Sequence, residues 1–99
     1  MPERYRIARQ RHLGEMLDRL QADGVVRWRF DYDHAQSRAI YWVAEGDGEQ
    51  KRYDTRSAER LVQKLCDDRQ IVWKAVPPPG GERQFAETQA WIAVQQKET

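Results

Sequence analysis

A single cysteine in 99 residues rules out an internal disulfide, so the fold has to be held by its core, and a reducing cytoplasm is the expected setting. The two histidines, His12 and His34, lie apart, with no partner at ligand spacing, which argues against a zinc site. No glycine-rich phosphate loop is present: Gly46-Asp47-Gly48 leads from one strand pattern into another, not into a helix. Ser37 and Ser57 occupy turn and cap positions, where serine ordinarily sits, and form no nucleophile–base pair. No apolar run reaches the roughly 18 residues of a membrane span. The start, Pro2-Glu3-Arg4, does not read as a secretion leader. Lysine is scarce, four against 13 arginines, and the net charge is only +1. The pI of about 7.9 is below the value above 9 usual for a dedicated nucleic-acid domain, so any basic surface is local.

What is present suffices for one small domain spanning residues 1–99. Apolar residues make up 39% of the chain, and four Trp, four Tyr and two Phe are too many for a sequence that stays unfolded. Leu13, Met16, Leu17 and Leu20 recur at i, i+3, i+4 and i+7 and predict a helix over about 3–22, with Ile7 or Tyr5 extending the stripe and Asp23-Gly24 stopping it. The period then drops to two. Val26, Trp28, Phe30 and Tyr32 alternate with Arg27, Arg29, Asp31 and Asp33 and predict a half-buried strand. Residues 34–37 read as a turn, 38–44 as a second strand, 46–48 as a tight turn and 49–54 as a short third strand.

A second helix opens at Thr55 to Ser57, with Thr55 or Ser57 as its cap, and Glu59 suits its early positive end. Ala58, Leu61, Val62, Leu65 and Cys66 mark its apolar face, which makes Cys66 a buried, inert thiol. Asp67-Asp68 ends it. Residues 71–76 predict a fourth strand, 77–84 a Pro/Gly loop, 88–94 a fifth strand, and 95–99 a disordered tail. The expectation is therefore α+β in the order α-β-β-β-α-β-β, with a mainly antiparallel sheet and helices packed on one face. Trp28, Phe30, Leu17, Leu61 and Leu65 are expected to share one core.

Two families resemble parts of this pattern. The order α-β-β-β-α-β, with Glu49-Gln50-Lys51 at the third strand, resembles restriction-endonuclease-like nucleases, where such a motif joins an acid on the second strand to hold Mg²⁺. Strand two here starts with Ser37 and Arg38, and its acids, Glu45 and Asp47, lie at the far end. The chain is accordingly read as not an enzyme, without cofactor or metal. Residues 26–65, with Tyr53-Asp54-Thr55-Arg56-Ser57-Ala58-Glu59 at the strand-to-helix junction, resemble the arm-binding domain of phage-type integrases, a three-stranded sheet plus helix. That resemblance implies that the exposed sheet face enters the DNA major groove, with Arg27, Arg29, Tyr41 and Arg52 as outward readers. Double-stranded-RNA-binding domains share the order, but their Gly-Pro-x-His loop and the Lys-Lys start of their second helix are missing.

Arg4, Arg6, Arg9 and Arg11 crowd the first half of helix one, where cations oppose the macrodipole at a few tenths of a kcal/mol each. The sheet face mixes charges, since Asp31, Asp33 and Asp54 accompany Arg27, Arg29 and Arg52 and can form a salt-bridge ladder instead. Two function classes lead, with the metal-dependent nuclease kept as a minor alternative. One is a module that binds an anionic partner, nucleic acid or an acidic protein surface, through Arg4, Arg6, Arg9, Arg11 and the sheet face. The other is a protein-binding module built on exposed aromatics such as Tyr41, Trp73 or Trp91, as in a phage- or plasmid-borne inhibitor of a host system.

Overall fold

The computed structural model describes residues 3–77, in the order α1 (Glu3–Ala22), β1 (Val26–Asp33), β2 (Arg38–Glu45), β3 (Lys51–Tyr53) and α2 (Thr55–Asp68). The strands form an antiparallel α+β sheet in the order β1-β2-β3. Helix α1 ends as its sequence requires. Gly24 takes φ 76°, its N–H donates to Gln21 O at 3.0 Å, and the Val25 N–H donates to Leu20 O at 2.8 Å. That pair of bonds closes the helix carbonyls and needs a residue at ease with positive φ. Leu13, Met16, Leu17 and Leu20 are buried, and the stripe extends backward through His12 and Tyr5, while Ile7 is half exposed.

Strand register decides which side chains meet the helices. Trp28, Phe30 and Tyr32 stand opposite Val43, Tyr41 and Ala39, so these six share one face. Val26, Ala39, Tyr41 and Val43 on that face join the stripes of both helices in one core with Ala58, Val62, Leu65 and Cys66. Arg27, Arg29 and Asp31 lie on the other face with Ala44, Trp42 and Ile40. Tyr41 is therefore not an outward reader. It is 1% exposed, with Trp28 stacked at 6.2 Å and Phe30 edge-on at 5.5 Å. The residues from Ile40 to Ala44 are apolar without alternation, so only the pairing with β1 can set their facing.

The expected core needs further correction. Phe30 is 47% exposed, and Trp28 and Leu61 are only half-buried. Helix α1 meets β1 through its C-terminal half, where the Trp28 indole N–H donates to Asp18 at 3.0 Å and the Trp28 amide to Gln21 Oε1 at 2.8 Å. Its N-terminal half meets α2 instead, through Arg9 and Glu59. Phe30 falls beside that path.

The strand expected at 71–76 does not form among the described residues. Residues 71–77 follow α2 without strand pairing and lie along α1. Trp73, 4% exposed, stacks on His12 with ring centroids 5.3 Å apart. His12 Nε2 lies 2.8 Å from the Lys74 carbonyl, which can only accept, so that nitrogen carries the proton. The Tyr5 hydroxyl points to the Val76 carbonyl at 3.5 Å. The expected 77–84 loop, apart from Pro77, the strand at 88–94 and the tail lie outside the described residues.

Asp54, not Thr55 or Ser57, caps α2. It is extended (ψ 177°), and its carboxylate accepts the Ser57 N–H at 2.7 Å. That amide, then the Ser57 hydroxyl, holds the Asp54 carboxyl below its ordinary 3.8. Asp54→Ala is expected to cost about 1 kcal/mol at neutral pH. A depressed carboxyl stabilises above its unfolded pKa and stops doing so as pH falls through the folded one. Urea melts should thus show the variant's deficit shrinking as pH falls below the ordinary carboxyl value of 3.8.

Cys66 is fully buried, and burial pushes its thiol from an ordinary 9.0 up to about 11. Tyr5 and Tyr41, also buried, are raised above their ordinary 10.0. Groups raised in the folded state leave stability intact below their unfolded pKa and erode it as pH climbs toward the folded one. The fold is expected to weaken between pH 9 and about 11, the interval over which an exposed thiol ionises and this one does not. Cys66→Ala should flatten that part of the stability–pH curve. Native Cys66 should react with a disulfide reagent only at the rate at which the fold opens.

Candidate functional site

An open groove of about 430 Å³ lies between the N-terminal half of α1, the start of β2 and the start of α2. It is lined by Arg6, Arg9 and Gln10 from α1, by Tyr32, Ser37, Arg38 and Ala39 around the β1–β2 turn, and by Asp54, Thr55 and Arg56 at the head of α2. Four arginines thus face one carboxylate. The β1–β2 turn brings Ser37 and Arg38 there because Asp33 accepts the Ala35 and Gln36 amides, at 3.0 and 3.2 Å, and Ser37 takes φ 52°. That Asx turn reverses the chain over the residues predicted as a polar turn.

The groove arginines differ in what already holds them. The Arg9 guanidinium grips Glu59 with Nε at 3.1 Å from both carboxylate oxygens and a third, shorter bond from Nη2 to Oε1. Glu59 is 7% exposed, and its hydrogen bonds raise the Arg9 pKa. Arg9 is therefore the neutralised floor of the groove. Arg6 meets Glu3 at 3.5 Å across an exposed i,i+3 spacing, a contact worth little in water. Arg38 and Arg56 are exposed on two other elements. Beneath them the buried Tyr41 hydroxyl lies close enough to Thr55 to be affected by it, but it completes no hydrogen bond.

The remaining predicted residues are dispersed. Arg4 and Arg11 are exposed on α1 away from the groove, so the helix-one cluster splits into two pairs. On the opposite sheet face, Arg29, Trp42 and Arg52 form a row across the three strands, with the Arg29 guanidinium 5.1 Å from the Trp42 ring centre. Arg52 reaches Asp33 at 3.9 Å, the one expected cross-strand pair that forms among the described residues. Arg27 is occupied elsewhere, donating to the Gly46 and Gly48 carbonyls at 3.2 and 2.7 Å and clipping the β2–β3 turn. Ile40 and Ala44 on this face are buried and Trp42 is half-buried, so its central strand is not presented to a partner.

Compared with models of known families, with curated proteins and with solved structures, the chain matches none. Its site is accordingly read from its own residues. Glu49 and Lys51 are exposed at the β2–β3 connection, and among the described residues no three of His, Cys, Asp and Glu gather into a metal-holding set. No helix among those residues is long and apolar enough to cross a membrane.

Sequence reasoning missed Arg38 and Arg56. Arg56 carried a readable signal, since it is the second residue of a helix, where a cation is as unwelcome as at the head of α1. Arg38 had none, because its approach to α2 depends on the β1–β2 turn.

Proposed function

We propose that this chain is a small non-catalytic module that binds an anionic partner, and that the partner is nucleic acid, held by its phosphates in the arginine groove. The observation that carries this reading is the convergence of Arg6, Arg38 and Arg56, from α1, β2 and α2, on one recess with a single opposing carboxylate. Two of these arginines sit near positive helix ends, where local energetics disfavours them. Arginine's planar fork suits phosphate oxygens. Arg4 and Arg11 add positive potential that steers an approaching polyanion. The row of Arg29 and Arg52 supplies secondary contacts. Arg9, committed to Glu59, serves the fold.

The resemblance to integrase arm-binding domains put DNA contacts on the sheet face. The buried central strand favours the groove instead. Binding of labelled DNA and RNA across a salt series tests the reading. The log–log salt slope should fall by about two in an Arg38→Ala/Arg56→Ala variant that keeps its melting curve. An unchanged slope and affinity would overturn it.

The alternative, a protein-binding module, loses two of its aromatics, because Tyr41 and Trp73 are buried; Trp91 lies outside the described residues. It gains Phe30, 47% exposed at the rim of β1. Partner binding that ignores salt but falls on Phe30→Ala would favour it.

A further inference from the structure

The groove differs from a plain basic patch in one respect: an aromatic ring forms part of its wall. Tyr32 ends the helix-facing row of β1, is half-buried, and is braced edge-on by His34 with ring centroids 4.9 Å apart. Around the ring stand the hydroxyls of Ser37 and Thr55 and the amide of Gln10, groups able both to donate and to accept. Arg6, Arg38 and Arg56 complete the rim. The recess encloses about 430 Å³ and is open to solvent along one side.

Resting on the reading that the partner is nucleic acid, we propose that the groove holds a nucleotide of a single strand, its base stacked on Tyr32 and its phosphates held by Arg38, Arg56 and Arg6. A duplex can offer phosphates to exposed arginines, but its bases are already stacked on one another and do not reach a recessed ring. An unpaired base can, and base–aromatic stacking tolerates any base because every base has a π-face. The hydroxyl and amide groups then meet the base edge or the sugar. Asp54, anchored to the Ser57 amide, leaves the rim net positive and turns the phosphates toward Arg38 and Arg56.

Fluorescence anisotropy with the full chain tests this at one fixed salt concentration, using labelled oligothymidylate, oligouridylate and a blunt DNA duplex of equal length. Both single strands should bind at least tenfold tighter than the duplex. Tyr32→Ala should weaken single-strand binding about tenfold or more, the loss expected for one stacked base, and leave duplex binding within about twofold. Tyr32→Phe, which keeps the ring, should retain single-strand affinity. Circular dichroism melts check that each variant is folded. If Tyr32→Ala leaves oligothymidylate binding unchanged while Arg38→Ala/Arg56→Ala weakens it, stacking is refuted and the phosphate reading survives. If no nucleic acid binds, or the arginine variant is without effect, the underlying reading falls as well.

Discussion

Replacing Glu59 with leucine is expected to remove about 3 kcal/mol of folding stability in a urea melt, a large part of the roughly 5–15 kcal/mol available to a domain of this size. The carboxylate is almost fully buried and is the counter-ion of a guanidinium whose side chain is 24% exposed. Removing the acid leaves that cation partly desolvated and unpaired, with Tyr5 and Tyr41 as its neighbours. Water still reaches the arginine, so the cost belongs at the low end for a broken buried pair. The companion measurement is the double variant Arg9→Met/Glu59→Leu. Two apolar side chains of similar length avoid both desolvation penalties, and the double variant should recover to within about 1 kcal/mol of the parent. A Glu59→Leu cost below 1 kcal/mol would mean that the bridge adds nothing to the α1–α2 contact.

Trp73→Ala is expected to cost about 3–5 kcal/mol although the residue belongs to neither helix nor strand. Its side chain is 4% exposed, packs into the core cluster and stacks on His12. Truncation would open a cavity beside α1 and take away the ring that backs the His12–Lys74 bond. Trp73→Phe should recover much of the loss, since it keeps a ring against His12. Stability within 1 kcal/mol of the parent for Trp73→Ala would show that residues 71–77 merely lie on α1 without holding it.

Elements with a clear period were legible in the sequence. The 3.6-residue stripe of α1 and the Asp23-Gly24 stop predict a helix over 3–22, and the structure has Glu3–Ala22. The strict alternation of β1 and the Thr55–Asp68 helix are likewise found where pattern places them. Three things depended on contacts that no local pattern carries. The unbroken apolar run of β2 hides which face is inward, so Tyr41 reads as an outward residue although it faces the helices. Residues 71–76 have strand-forming composition, but their apolar side chains find α1 as a partner and not a neighbouring strand. The Arg9–Glu59 bridge joins residues 50 apart. Its trace was nevertheless present: Glu59 stands at i, i+3 and i+7 with Val62 and Cys66, on the stripe that is buried. A carboxylate on a buried stripe requires a cation, and the first half of helix one carries four. Of the groove, Arg6 and Arg9 were foreseen, while Tyr32, Arg38 and Arg56 converge only after the turn and α2 are placed.

The bond from the Trp28 amide to Gln21 Oε1 also governs how the molecule behaves in a crowd of its own copies. Strand β1 is an outer strand of the sheet, and its outward amides recur at every second residue. Gln21 takes that of Trp28, and Asp31 folds back to take that of Tyr32 at 2.8 Å. Of the four outward positions, Val26, Trp28, Phe30 and Tyr32, every second amide is thus already bonded, which interrupts the row that an added strand would use. The side chains that flank this margin, Arg29 and Asp31, are charged. The chain thus carries an aromatic-rich, strongly strand-forming sequence while denying it the continuous row of donors from which aggregates grow.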